Sequence, residues 1–456
     1  MKLASKSAWS ILDNLVQQVL SFVIFLVLAR WLSPHEFGLL AIAHLMVLFT
    51  RMSLLDSLAM PVVRSPEADD RMFHWLFTVC TLVSVFVAAA MVMLAWPMAR
   101  FFDAPDLTLV LVGMSLSVVL FGLGRAHDAR LLRDGNFRLM AIRSLVSVST
   151  GGIVALWLAA RGHGAMALVA QQVVMGLVAF LVALVAEWRV WRPRWCWSGD
   201  LLREHAGETR RIGLNACVNY ANNNGDAALV SVLLGPYATG LYNLAKRVLS
   251  AGYLVVGASL SRVGVSLFVQ RQGDPVALAQ AYRRMLGWTL LLLAPAYALV
   301  SLAAEPLVVL AFGERWRESA PLFGWLSVAY VAQSAFWLGQ NLSFATRHSA
   351  RVLKLSTLQL GVSAALAAAF SPWGMQGIAA GVALGSVAGC LLMQWAVQRQ
   401  LAMSSLSFMR TTLPATLGTA TVAALLWGLP HAGFDADRLQ TLFTNQKDSL
   451  STWQKQ

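Results

Sequence analysis

The stretch WLSPHEFGLLAIA at residues 31–43 has a counterpart 202 positions later, LLGPYATGLYNLA at residues 233–245. Leu32 falls on Leu234, Pro34 on Pro236, Gly38 on Gly240, Leu39 on Leu241 and Ala43 on Ala245. A second match sets GAMALVA from Gly164 over GMQGIAA from Gly374 at an offset of 210. Short apolar strings can match by chance, but a shared Pro and Gly at equivalent helix–helix turns favour true repetition. The chain therefore reads as two halves of one design.

What surrounds the motif says what the halves are made of. Of 456 residues, 58% are hydrophobic and 12% charged, against about 45–50% and 25% in an average soluble domain. Apolar runs long enough to span a bilayer fall at about 9–31, 38–60, 75–99, 107–124, 142–160 and 164–186. Six more follow at about 212–234, 240–268, 286–312, 320–344, 352–371 and 374–397, then a thirteenth at about 411–430. The expected fold is an all-α integral membrane protein, with 12 core transmembrane helices as two six-helix repeats around a central cavity plus a thirteenth C-terminal span. The corresponding divisions are a first lobe at 1–190, a linker at 191–211, a second lobe at 212–400, an added span at 401–430 and a polar tail at 431–456. Six crossings separate equivalent helices, so the halves insert with the same orientation about an axis along the membrane normal.

Charge distribution gives the topology. With the N-terminus placed in the cytoplasm, 23 Lys and Arg fall on that side and 5 on the other before the tail, the asymmetry expected of a protein inserted positive side inward. The net charge of +13 then reads as cationic loops facing anionic lipid, with no call for nucleic acid. Residues 187–197, with Trp188, Trp191, Trp195 and Trp197 among arginines, read as a belt at the lipid headgroups. The cysteines Cys80, Cys196, Cys217 and Cys390 contain no CxxC, so neither a disulfide framework nor a metal site is expected. No phosphate-binding GxxxxGK[ST] loop, GxSxG or HExxH occurs. ERWRE from Glu314 mixes acids and bases, but a solvated turn accounts for it better than acid–base catalysis. Neither catalytic residues nor a cofactor is expected.

Polar side chains within spans are costly and usually face water or one another. The first run carries Asp13, Asn14, Gln17 and Ser21, and the seventh carries Asn215, Asn219, Asn222, Asn223 and Asp226. Steps of three and four place Asn215, Asn219, Asn222 and Asp226 on one helix face. The repeat sets Gln17 over Asn219 and Ser21 over Asn223, so each half offers a polar stripe to a wet cavity. Plain helix-to-helix hydrogen bonding is the simpler alternative. Arg51, with His44 seven residues earlier on its face, lies too deep in the second run to reach the near surface; the equivalent eighth run holds Lys246, Arg247 and Arg262. Such cations suit a phosphorylated cargo. Asp56 and Asp226 are the candidate acids for coupling to an ion gradient.

LARWLSPHEFGLLA from Leu28, and Asp226 followed by Gly235, Gly240, Tyr242 and Ala245, resemble the polysaccharide exporter, or Wzx-type, lipid-linked oligosaccharide flippases of the MATE-like (MOP) superfamily, over about residues 5–400. The resemblance implies movement of undecaprenyl-pyrophosphate-linked sugar units across a bacterial inner membrane by alternating access. It also implies membrane lipids as surroundings and polysaccharide polymerase and export proteins as partners. A small-molecule antiporter of the same superfamily would want acidic groups for a cationic cargo, and a membrane glycan polymerase or ligase would want an exposed catalytic loop. The single added span departs from the family pattern of a twelfth or fourteenth last helix.

Overall fold

A computed structural model describes residues 2–66, 68–346 and 348–403, with side chains placed except at 2–16, 254–256, 258, 259, 261, 262 and 349. Most of the added span and all of the tail lie outside these residues. Among the described residues every regular element is helical. They run α1 (Lys2–Trp31), α2 (Pro34–Phe49), a π-helical segment (Thr50–Leu55), α3 (Asp56–Arg64), α4 (Asp70–Phe101), α5 (Asp106–Asp134), α6 (Phe137–Ala160) and α7 (Ala165–Glu187). Then come α8 (Gly199–Gln270), α9 (Pro275–Leu302), α10 (Ala304–Phe312), a 3₁₀ segment (Glu314–Ser319), α11 (Ala320–Ala345), α12 (Ser349–Ala369) and α13 (Gly374–Gln400). Among the described residues, ten stretches are long and apolar enough to cross a membrane.

The repeated motif explains itself in the turns it builds. Ser33 caps α2: its Oγ accepts the Glu36 N–H while the Glu36 carboxylate accepts the Ser33 N–H at 2.6 Å, and Pro34 takes the first helical position. Reciprocal capping of this kind satisfies two otherwise orphaned donors, and Pro there loses no hydrogen bond. The residue equivalent to Ser33 is Gly235, which interrupts α8 with φ 78° and ψ −174° just before Pro236, a conformation essentially confined to glycine. The chain doubles back at this point. Lys246 Nζ lies 2.5 Å from Asp226 Oδ1, whereas 20 residues of straight helix would separate the two by about 30 Å.

The two turns meet. A Cβ built on Gly38 would collide with the carbonyl oxygen of Pro236, and one on Gly240 with the carbonyl oxygen of Pro34, so α2 and the second part of α8 cross at backbone contact. Around the crossing a buried apolar cluster gathers Phe25, Leu28, Phe37, Leu241, Tyr242, Phe312 and Trp316. The ERWRE segment is more than a solvated turn. Trp316 is fully buried and its Nε1 donates to the Ala29 carbonyl at 2.7 Å, while Arg30 donates to the carbonyls of Ala311 (2.9 Å) and Leu310. Only its charged rim, with Arg317 paired to Glu305 and Glu314, faces out. These bonds tie the end of α1 to α10 and close this end of the bundle, called here the Trp31 face.

Elsewhere small residues set helix spacing. Gly381, Gly385 and Gly389 of α13 press on Ala367, Ser363 and Gln359 of α12, the close backbone approach that glycine permits in membrane helices. In the segment after α7, Trp191 departs from the exposed belt expected of its four tryptophans and is clamped against α4 and α5. Trp191 is buried, with His74 stacked 5.2 Å from its ring, His127 edge-on at 4.9 Å and Arg130 5.6 Å from its centroid. The Arg194 and Cys196 N–H groups donate to His74 Nδ1 and Thr78 Oγ1 of α4. Trp188, Trp195 and Trp197 remain exposed.

Candidate functional site

Beneath the crossing lies a cavity of about 450 Å³, within the range of about 300–1,000 Å³ that shelters small ligands. Its wall is made by α1, α2, α7, α8 and α11. Three groups that can carry positive charge line it, His44, Lys246 and Arg247, beside the amides Gln172, Asn223, Asn224 and Asn243 and the rings of Phe25, Tyr253, Tyr330 and Trp337. Among the described residues that line it there is no carboxylate.

Each cation is held differently. Arg247 reaches across to α1, donating to Ser21 Oγ at 3.0 Å with its guanidinium 4.2 Å from the Phe25 ring centroid, and it stays exposed. Stacking on a ring face leaves the guanidinium donors that Ser21 does not take in the plane of the fork, open to an anion. Lys246 is partly buried and donates to Asp226 Oδ1 and to the Asn223 carbonyl, both at 2.5 Å. His44 stands within electrostatic reach of both Arg247 and Arg51. Arg51 is exposed and lies beside the cavity rather than among its lining residues, its guanidinium 5.4 Å from the Phe121 ring.

Arg51 owes its place to the π-helical segment, in which the Asp56 N–H bonds to the Arg51 carbonyl five residues back. The extra residue in that turn shifts the phase of everything after it, a feature frequent at functional sites. It also sets Asp56 against α5, where Arg125 pairs with it at 3.1 Å and Arg125 and Arg143 both pair with Asp128. Asp56 is thus in a charge network inside the bundle.

The polar stripe of α8 divides between two places. Asn223 and Asn224 line the central cavity, while Asn222 and Asp226 line a second pocket of about 440 Å³ with Gln333, Gln359, Ser363 and Ser386 of α11, α12 and α13. Asn219 is half-buried and Asn215 exposed, and neither lines either pocket. Gln17 is half-buried in α1. The side chains of Asp13, Asn14 and Arg262 lie outside the described ones. Gln172, Asn224 and Asn243 fell outside the sequence reading because Gln172 and Asn243 lie in other runs than the two polar ones and Asn224 is off the three-and-four spacing of its own.

The family model described as polysaccharide biosynthesis protein matches residues 27–321. The chain belongs to this family. It is 31% identical over 323 residues to the succinoglycan biosynthesis transport protein ExoT of Rhizobium meliloti (strain 1021), covering 70% of this chain and 65% of that one. The lipopolysaccharide biosynthesis protein WzxC of Escherichia coli (strain K12) is 22% identical over 334 residues, 73% of this chain and 68% of WzxC. The aligned part thus spans about two thirds of these relatives. Among solved structures, lipid II flippase MurJ in an inward closed conformation superposes with a TM-score of 0.73 at 12% identity, covering 93% of this chain and 99% of MurJ. An inward-facing multidrug resistance MATE family transporter of the MOP superfamily gives 0.62 at 13% identity, with 86% and 98% covered. The fold of this family member is therefore MurJ- and MATE-like, and it is a multi-pass membrane protein of bacterial type.

Proposed function

We propose that this protein is a flippase that moves undecaprenyl-pyrophosphate-linked oligosaccharide units across the bacterial inner membrane for surface or exopolysaccharide synthesis. The observation that carries the reading is the central cavity: cations, and no carboxylate among the described lining residues, set among the amides and rings that suit a sugar. Charge-assisted, forked hydrogen bonds from Arg247 would hold the pyrophosphate, with Lys246, Arg51 and Arg262 adding charge. His44, Asp13, Asn14, Gln17, Ser21, Asn215, Asn219, Asn222 and Asn223 would supply the polar lining, and Asp226 and Asp56 the coupling acids.

In this reading the helices make twelve crossings, six on each side of the linker, as two repeats enclosing the cavity. With the N-terminus cytoplasmic, the Trp31 face is periplasmic and sealed by the glycine crossing, so the cavity loads from the cytoplasm and a rocking of one half on the other re-exposes it. The polyprenyl tail stays in lipid. The multidrug transporter in the comparison favours no cationic cargo here, because a cationic wall repels one.

The test is an export assay in cells lacking the gene. Arg51→Ala and Arg247→Ala should each abolish glycan export at unchanged protein level in the membrane, with lipid-linked repeat units accumulating on the cytoplasmic leaflet. Accumulation of single units on the periplasmic side would assign a polymerase instead, and full export in both variants would refute the cavity as the cargo site.

A further inference from the structure

Asp226 and Lys246 stand at the wall between the two pockets. Asp226 lines the second pocket, Lys246 lines the central cavity, and the 2.5 Å ion pair joins them. The Asp226 carboxylate also accepts the Tyr242 hydroxyl at 2.9 Å and the Ala227 N–H at 2.8 Å. Facing it, α8 supplies Lys246 and Tyr242, and α11 supplies Tyr330 and Gln333. From α12 come Gln359 and Ser363, and from α13 Ser386. Among these described residues Lys246 is the single cation. If its ammonium leaves, Asp226 keeps two neutral donors and loses its counter-charge. An uncompensated carboxylate away from bulk water then favours its protonated form.

We infer that Lys246 is shared between Asp226 and the cargo: an anionic group in the central cavity draws the ammonium off Asp226, and the freed carboxylate takes up a proton from water through the second pocket. The flexible four-carbon stem and compact charge of lysine suit such an exchange, where a fixed guanidinium fork would not. Anion binding and proton binding are then linked with the same sign, each favouring the other. The inference rests on the reading of the central cavity as an anion site. It makes Asp226 a competitor of the cargo, whereas a carboxylate that merely aims Lys246 would be its helper.

That difference in sign is measurable by calorimetric titration of the full-length detergent-purified protein with inorganic pyrophosphate at pH 6 and pH 8. Asp226→Asn should bind pyrophosphate about tenfold more tightly than wild type at pH 8. Its advantage should shrink at pH 6, where more protons are available to replace the ammonium; Lys246→Met should lose affinity in both backgrounds. In wild type, where no variant needs to fold, pyrophosphate should raise a carboxylic-acid band in the infrared difference spectrum. Pyrophosphate binding that Asp226→Asn weakens or leaves unchanged, or a wild-type spectrum without that band, overturns the exchange while leaving the anion site standing. Failure of wild type and Arg247→Ala alike to bind pyrophosphate overturns the anion site and the exchange together.

Discussion

Replacing Gly38 by alanine tests the reciprocal crossing at its tightest point. The added methyl would strike the carbonyl oxygen of Pro236, a backbone atom at the start of a helix with no flexible side chain to yield. Overpacking typically costs about 1–3 kcal/mol, and a backbone obstacle places this case at about 2–3 kcal/mol. Gly240→Ala strikes the Pro34 carbonyl on the other side of the same crossing, and one widening of α2 from α8 relieves both collisions. The double variant should therefore be less destabilised than the sum of the singles, by about 1 kcal/mol or more. Denaturation of the purified protein in detergent, followed by tryptophan fluorescence, reads all three. Gly207→Ala is the control: that position is exposed, helical and free of neighbours within 4 Å, so it should be neutral or slightly stabilising. Gly38→Ala within about 0.5 kcal/mol of wild type, or strictly additive singles, would refute the crossing as drawn.

Two further outcomes follow from the same geometry. Gly235→Ala forces a side chain into φ 78°, ψ −174° and should cost about 1–3 kcal/mol in the same measurement, whereas Ser33→Ala at the equivalent turn, losing only the cap, should cost about 1 kcal/mol. Trp191→Ala should cost about 3–5 kcal/mol and release residues 188–198 to limited proteolysis, while alanine at the exposed Trp197 should do neither.

Much of the fold was legible because membrane helices announce themselves by length, and the turn motifs by chemistry. Ser33, Pro34 and Glu36 spell a helix start, and the offset of 202 places Gly235 and Pro236 at the second one. Gly377, Gly381, Gly385 and Gly389, four residues apart along α13, spell a close-packing seam in the same way. The site was less so. Periodicity tells which residues share a helix face but not what that face meets: Asn222 and Asp226 turn to α12 and α13, while their neighbours Asn223 and Asn224 line the cavity. The π-helical turn before Asp56 shifts the helical register without any sequence signal. Trp191 looks like its exposed neighbours in sequence, and only the cage of His74, His127 and Arg130 from α4 and α5 marks it as core.

That cage bears on how the protein is put together. Because the connection after α7 is fastened along α4, it travels with the helices before it and acts as no spring between the parts. Union of the two parts rests on surfaces such as α2 against α8 and Arg30 against α10, which are non-covalent. A gene severed within this connection would yield two polypeptides that retain those surfaces intact, making the middle of the chain a natural seam for fragment complementation.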